Sequence, residues 1–452
     1  MIGVEKTMGN LTLFDALTID VFVLAVCIAI AIREARSALH PAWMFIGLHA
    51  YIVTLRLLQL YTGSHPMKAT FEWPVAVDEV IRAGIASDVG LLAIAAGWIA
   101  ARSVRKRMQI KRPRVVSVSK FRIYFASAMA IVVGVFGALT VGRLEHALRN
   151  ASWDTSGYLA ATTSWPAWSV CLLHFLFGFP PALVAISTLV LVFVAITNAS
   201  RFAVVISILF LTFTWLSRRP GQRLPLRLVV GIAVAWMAWL PMKPLTRMLN
   251  EGSRFEDALT VAVQDTYAQF GTEEGSIDAQ FLDMAGATMT LADVHGGWYW
   301  GRTIAPLFVC PVPRVFWPEK PKINQYQWDI QVPSRNMADL GMTSGLVAEG
   351  YVNFGYAGIV LLCFGVSFAY ALAYIRVAHS HSLSPGRLLY FFCLAAASQV
   401  YRDGLASAVW FPFVYAAPIG WMVVSHWIWK PGRRRFTFPV RKSVGESVAY
   451  VR

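Results

Sequence analysis

The chain has 452 residues, of which 57% are hydrophobic and only 14% charged, with a mean hydropathy of +0.54. Soluble globular domains carry about 25% charged residues, so these values exclude a disordered chain and an ordinary soluble enzyme; charge clustered between long apolar runs is the pattern of a polytopic membrane protein. The formal net charge of +15 sits mostly in short segments between those runs, which fits cytoplasmic loops better than nucleic-acid binding, because Lys and Arg resist translocation.

In chain order, apolar segments of spanning length are predicted at about 14–33, 42–62, 84–102, 123–143, 166–179, 181–198, 201–217, 226–245, 351–375, 387–401 and 408–429. The expected fold is therefore an all-α integral membrane bundle of about eleven transmembrane helices. The first run is preceded by Lys6 alone and followed by Arg33 and Arg36. That order is the reverse of a cleavable signal, and predicts a retained first span with its N-terminus outside. Dense basic clusters at Arg102–Arg122, Arg218–Arg227, Arg376–Arg387 and Lys430–Lys442 should be cytoplasmic. Strict alternation between these anchors divides the chain into N-terminal helices (1–245), a long external segment (246–349), C-terminal helices (350–429) and a basic cytoplasmic tail (430–452).

An external segment of that length is expected to carry function rather than merely connect. Outer-face chemistry has no access to ATP or sugar nucleotides, so an enzyme there needs a substrate that brings its own activation. Within the segment, Phe255–Phe270 places Phe255, Leu259, Ala262, Val263 and Phe270 near one helical face. Such a helix would lie flat on the membrane or pack on the bundle's outer mouth.

Further on, Pro311, Pro313, Pro318 and Pro321 make a stiff, extended path. It carries the cations Arg314, Lys320 and Lys322, with Arg302 before it and Arg335 after it. Cations placed against the sorting bias suit a resident anion such as a lipid phosphate or pyrophosphate; side chains snorkelling to headgroups would give the same composition. Arg201, Arg254 and Arg402 stand at predicted outer ends of spans, although Arg402 has Asp403 beside it as a ready partner. Several arginines together neutralise a pyrophosphate without metal. Arg56 interrupts the second span, an intramembrane charge that hints at function unless a single acid satisfies it.

Glu349 and Asn353 are four residues apart and share a helical face, which Tyr356 is expected to continue. A carboxylate at the mouth of a helix is a candidate general base, or simply an acid favoured by the helix dipole. His295 titrates near neutrality and is a second candidate. Trp298, Tyr299, Trp300, Trp317, Tyr326 and Trp328 crowd the same segment, either to stack on sugar rings or as an interfacial belt. No CxxC pair, Asp-x-Asp, Walker loop, GxSxG or HExxH motif occurs. Neither a cofactor nor a metal is expected, although ligands drawn from distant positions would leave no such motif.

Two stretches carry a resemblance. Pro313-Arg314-Val315-Phe316-Trp317-Pro318-Glu319-Lys320-Pro321 resembles the PR-x-x-W-P-x-K-P stretch of bacterial oligosaccharide repeat-unit polymerases of the Wzy type, and Glu349-Gly350-Tyr351-Val352-Asn353-Phe354-Gly355-Tyr356-Ala357-Gly358 resembles their E-x-Y-x-N-F-G-x-x-G stretch. Ser200-Arg201 and the late Arg402 also fit. The likeness covers about residues 190–410; over the first 150 only topology agrees.

The resemblance implies a GT-C-like glycosyltransferase of the bacterial inner membrane with a periplasmic active face. It would transfer a growing glycan from undecaprenyl pyrophosphate to an incoming lipid-linked repeat unit by metal-independent inversion, with a chain-length regulator and a flippase as possible partners. By the same resemblance, Arg201, Arg254, Arg314, Lys320 and Arg402 would contact pyrophosphate. Glu349, or after it His295, would be the base, and Tyr351, Asn353 and Trp317 would position acceptor or sugar. An O-antigen ligase-like transferase would use the same donor with another acceptor. A lipid-linked oligosaccharide flippase belongs to a different class, for which inverted repeats and a central charged path would speak.

Overall fold

The computed structural model describes residues 11–66 except 36, then 75–108, 120–148, 202–217, 252–271, 281–294, 298–309, 345–377, 385–405 and 416–420, with scattered single positions elsewhere. Every regular element among them is a helix. In chain order these are α1 (Leu13–Glu34), α2 (Pro41–His49), a π-turn (Ala50–Thr54) leading into α3 (Leu55–Tyr61), α4 (Val77–Met108), α5 (Lys120–Leu148), α6 (Phe202–Leu216), α7 (Phe255–Gly271), α8 (Phe281–Val294), α9 (Ala305–Val309), α10 (Gly345–Val377) and α11 (Pro385–Asp403). Four are long and apolar enough to cross a membrane: Leu13–Glu34, Pro41–Tyr61, Val77–Val104 and Gly345–Val377. The protein is a helical membrane protein in this sense. The predicted spans at 166–179, 181–198, 226–245 and 408–429 lie outside the described residues except at isolated positions and at 416–420.

Local chemistry explains the helix ends. Thr12 and Asp15 form a reciprocal capping box that starts α1. His40 caps α2 by accepting from the Ala42 N–H through Nδ1, with Pro41 at the first helical position. Along α1 the buried residues are Ala16, Asp20, Val23, Cys27 and Ala31, a stripe with steps of three and four. Phe14, Val21, Phe22 and Ile32 point away and are exposed, as side chains facing lipid must be.

The main core joins α1, α2, α3, α4, α8, α10 and the end of α11. A second core joins α6 and α11, with Phe210 and Phe392 rings 4.3 Å apart. At one end of the bundle, Phe14 of α1 meets Tyr61 of α3 at 6.1 Å, the first turn of α4 meets α8 at Gly286, and the start of α10 abuts the end of α11. At the other end, Arg102 of α4 pairs with Glu34 of α1 at 2.5 Å, and Tyr390 of α11 donates to the Leu39 carbonyl at 2.8 Å. Helices α1, α4 and α10 thus run one way through the bundle, and α2–α3 and α11 the other.

Two features depart from the sequence expectation. Within the long segment, where only Phe255–Phe270 was expected to be helical, residues 281–294 also form a helix, most of whose residues are buried and which packs on α4 and α10. Its Asp283 receives Arg56 through Nε at 2.9 Å and Nη2 at 2.6 Å, both side chains fully buried. The single acid that Arg56 needs therefore comes from another segment, and the pair locks α8 to α3. The second departure is a break inside α10, at Phe354 (φ −149°, ψ 24°) and Gly355 (φ 63°, ψ −149°). Only glycine adopts the Gly355 conformation without strain. The chain reverses there so tightly that a Cβ on Gly358 would lie 2.0 Å from the Gly350 carbonyl oxygen. Gly345–Asn353 is thereby a short, buried helical piece folded against the start of the following span. Tyr356 falls beyond the break, so it does not continue the Glu349–Asn353 face as expected; it packs edge-on to Tyr351 instead.

Candidate functional site

The short piece before the break brings three of the sequence candidates together. Glu349 is 1% exposed. Its Oε1 accepts from the Thr303 hydroxyl at 2.9 Å and its Oε2 from the Leu405 backbone N–H at 2.6 Å. Asn353 donates through Nδ2 to Thr303 Oγ1 at 2.7 Å and to the Glu349 carbonyl at 2.8 Å, while its Oδ1 accepts from the Gly301 N–H at 2.8 Å. The Tyr299 N–H donates to the Val352 carbonyl at 3.0 Å. The turn 299–303 is thus fastened to the piece by backbone and side chain together. Gly404 closes the far side: its φ is +91° and a Cβ there would lie 2.3 Å from Glu349 Oε2, so only glycine lets α11 end this close to the carboxylate.

Tyr351 faces a different partner set. It donates to Asp293 Oδ1 at 2.8 Å and accepts from Arg82. Arg82 also pairs with Asp293 at 2.6 Å and lies over the Tyr351 ring at 4.9 Å. Trp298 stands edge-on to Tyr351 at 5.4 Å. Arg402, 20% exposed, has Nε 3.2 Å from Asp403 Oδ1, the pairing that the sequence allows. Its guanidinium also lies 4.3 Å above the Phe281 ring. Beside it a narrow crevice runs between Val53, Ser87, Phe281, Val347 and Tyr401.

Glu349, Tyr351, Asn353 and Arg402 therefore gather at one end of the bundle. Arg254 is exposed before α7, a helix that buries Ala258 and Ala262 against Leu245 and Met248 and leaves Phe255 and Leu259 exposed. Trp317 is 41% exposed. Arg201, His295, Arg314 and Lys320 lie outside the described residues. Sequence reasoning missed Thr303, Arg82, Asp293 and Gly404, which act here only because other segments come to meet them.

It also missed a second polar cluster, deep among the spans. His49 of α2 places Nε2 2.8 Å from Asp20 Oδ1 of α1 and 3.3 Å from Asp88 Oδ1 of α4; its Nδ1 lies 2.8 Å from the Tyr401 hydroxyl of α11. All four side chains are buried. One carboxylate oxygen of each acid and the imidazole nitrogen lie within 4.8 Å of one another, close enough to share a metal ion. The available signal was an ionisable residue in each of the first three apolar runs, of which only Arg56 was weighed. No protein-family model, no curated protein and no solved structure matches the chain.

Proposed function

We propose that this protein is a membrane-embedded glycosyltransferase that polymerises oligosaccharide repeat units carried on undecaprenyl pyrophosphate, working at the end of the bundle where α10 breaks and α11 terminates. The observation that carries the proposal is the meeting there of Glu349 and Asn353, on the short piece that begins α10, with the end of α11 that carries Arg402. The two stretches that resemble repeat-unit polymerases fall in this same part of the sequence. In this reading that end is periplasmic, the bundle is GT-C-like with about eleven spans, and the membrane is the bacterial inner membrane.

The chemistry follows from the groups present. The acceptor sugar hydroxyl attacks the donor's anomeric carbon from the face opposite the pyrophosphate. The bond from that carbon to the pyrophosphate oxygen breaks, and undecaprenyl pyrophosphate leaves with the electron pair. Arg402 stabilises the charge that grows on it, with Arg201, Arg254, Arg314 and Lys320 assigned to the same leaving group by the resemblance of the sequence, as a preorganised electrostatic site does. Glu349 takes the hydroxyl proton, with His295 as the alternate base. To do so, Glu349 exchanges its Thr303 hydrogen bond for the acceptor hydroxyl. Asn353 holds the 299–303 turn in place, while Tyr351 and Trp317 line the sugar path.

One observation favours a second reading. A charged cluster inside the bundle, Asp20–His49–Asp88, is the kind of feature that marks transport pathways, and suits a lipid-linked oligosaccharide transporter. The two part on deletion of the gene. Loss of a polymerase leaves single repeat units on the carrier at the outer face; loss of a transporter traps them inside. The direct test is incubation of the purified protein with lipid-linked repeat unit. Wild type should lengthen the glycan, and Arg402→Ala should abolish lengthening while staying in the membrane. Arg402→Lys should also be impaired, because an ammonium lacks the two-point phosphate contact. Normal-length polymer from Arg402→Ala would remove this assignment.

A further inference from the structure

We propose that Asp20, His49 and Asp88 form a binding site for one divalent transition-metal ion inside the bundle. Two carboxylates and one imidazole stand together with almost no exposure, at 0%, 0% and 3% for Asp20, His49 and Asp88. Even a protonated histidine leaves this group one negative charge in excess, and among the described residues His49 is the only cationic partner of either acid. A bare carboxylate in a buried setting is expensive unless a cation or donor meets it.

The hydrogen-bond pattern carries the argument further. Asp20 Oδ2 and both Asp88 oxygens are buried without a well-formed hydrogen bond, and Asp88 Oδ1 has only the long 3.3 Å approach of the His49 ring nitrogen. Buried polar atoms without partners are rare and mark an ion, a water or a catalytic role. Here both acids flank one imidazole nitrogen, each through its Oδ1. His49 Nε2 lies 2.8 Å from Asp20 and 3.3 Å from Asp88. Donors bonded at about 2.0–2.2 Å to a tetrahedral metal stand roughly 3.4 Å apart, so Asp88 is already placed and Asp20 needs to withdraw by about half an ångström.

The surroundings resemble those of a metal-bound histidine. The other ring nitrogen, Nδ1, is held by the Tyr401 hydroxyl at 2.8 Å; such a partner fixes the ring's orientation and directs Nε2 at the metal. An imidazole beside carboxylates selects zinc, manganese or iron over calcium or magnesium, which prefer oxygen alone. The three ligands come from three successive spans, so a bound ion would tie α1, α2 and α4 together where His49 adjoins the π-turn. Tyr401 also lines the crevice beside Arg402, which couples the ion to the proposed catalytic end through one side chain. The inference does not depend on the polymerase reading.

The test uses the full chain in detergent, purified without a polyhistidine tag and without chelator. Metal analysis should find about one equivalent of a divalent transition metal per chain. After chelator treatment, added Zn²⁺ should raise the thermal midpoint of the wild type, and Co²⁺ should produce the visible absorption bands of a tetrahedral nitrogen–oxygen site. Asp88→Asn and His49→Ala should lose the metal and the Zn²⁺ response. If either variant fails to fold, the Co²⁺ spectrum of the wild type still decides. Absence of metal with no Zn²⁺ shift and no Co²⁺ bands would overturn the proposal, leaving a shared proton in the cluster. Full metal retention by a folded Asp88→Asn would overturn it equally, by placing the ion elsewhere.

Discussion

The protein buries polar side chains in two regions that differ in one respect. Around Glu349 each carboxylate oxygen has a donor, from Thr303 and from the Leu405 N–H, and the nearby Arg56–Asp283 pair is held through two nitrogens. Around His49 carboxylates are as deeply buried, yet three of their oxygens lack a well-formed hydrogen bond and two acids share one imidazole. Satisfied groups specify how segments dock, because each donor finds one acceptor at one distance. Unsatisfied groups do not specify docking and cost stability until something binds them.

The largest test of this contrast is Asp283→Ala. It leaves the Arg56 guanidinium buried without its carboxylate, and thermal unfolding in detergent should show a loss of about 3–5 kcal/mol. Replacing both partners by leucine should recover most of that loss. Recovery absent from the double variant would mean that the pair itself, not the cost of an unpaired charge, holds α8 in place.

Next in size is Thr303→Val, which removes one donor from Glu349 and one acceptor from Asn353 at nearly constant volume. The expected cost is about 1–3 kcal/mol, together with slower chain growth in the purified assay. Glu349→Gln sharpens the assignment. Folded protein with no lengthening identifies the carboxylate as the base, whereas lengthening at the wild-type rate leaves it a docking group.

Asp88→Asn should behave in the opposite sense. In chelator-treated protein it removes one of two carboxylates that share a single imidazole, so the midpoint should stay level or rise, by at most about 1 kcal/mol. A fall as large as that of Thr303→Val would erase the difference between the two regions.

A last effect is one of pH, at the opposite end of the bundle. Burial holds the His40 imidazole down from 6.5 to about 4. The neutral ring is also the one that caps α2, because Nδ1 must accept the Ala42 N–H. The unfolded chain therefore binds a proton at a higher pH than the folded one. The contribution is complete above about 6.5, shrinks as pH falls, and levels off near 4, for at most ~3 kcal/mol. His40→Asn keeps a capping acceptor and should flatten that part of the stability–pH curve.

Part of the architecture is legible without coordinates because a bilayer restricts a chain to few solutions. Long apolar runs must become helices, which is why α1, α2–α3, α4 and α10 fall where composition puts them. Thr12, His40 and Pro41 start their helices by local chemistry alone, and α7 is helical where its periodicity puts it, although of its expected face Ala262 is buried while Phe255 and Leu259 are exposed. The Glu349–Asn353 face follows from helical spacing.

What the tertiary structure decided is everything that depends on two segments meeting. Apolar composition says that Arg56 needs an acid but not that Asp283 supplies it from 227 positions away. The sequence Phe354-Gly355 permits a reversal without announcing that it moves Tyr356 off the Glu349 face. Asp20, His49 and Asp88 are single polar residues in three separate apolar runs, and only packing makes them one cluster. Local rules act over a few residues along the chain, whereas pairing and charge balance act through space, and no spacing in the sequence encodes which distant side chain arrives.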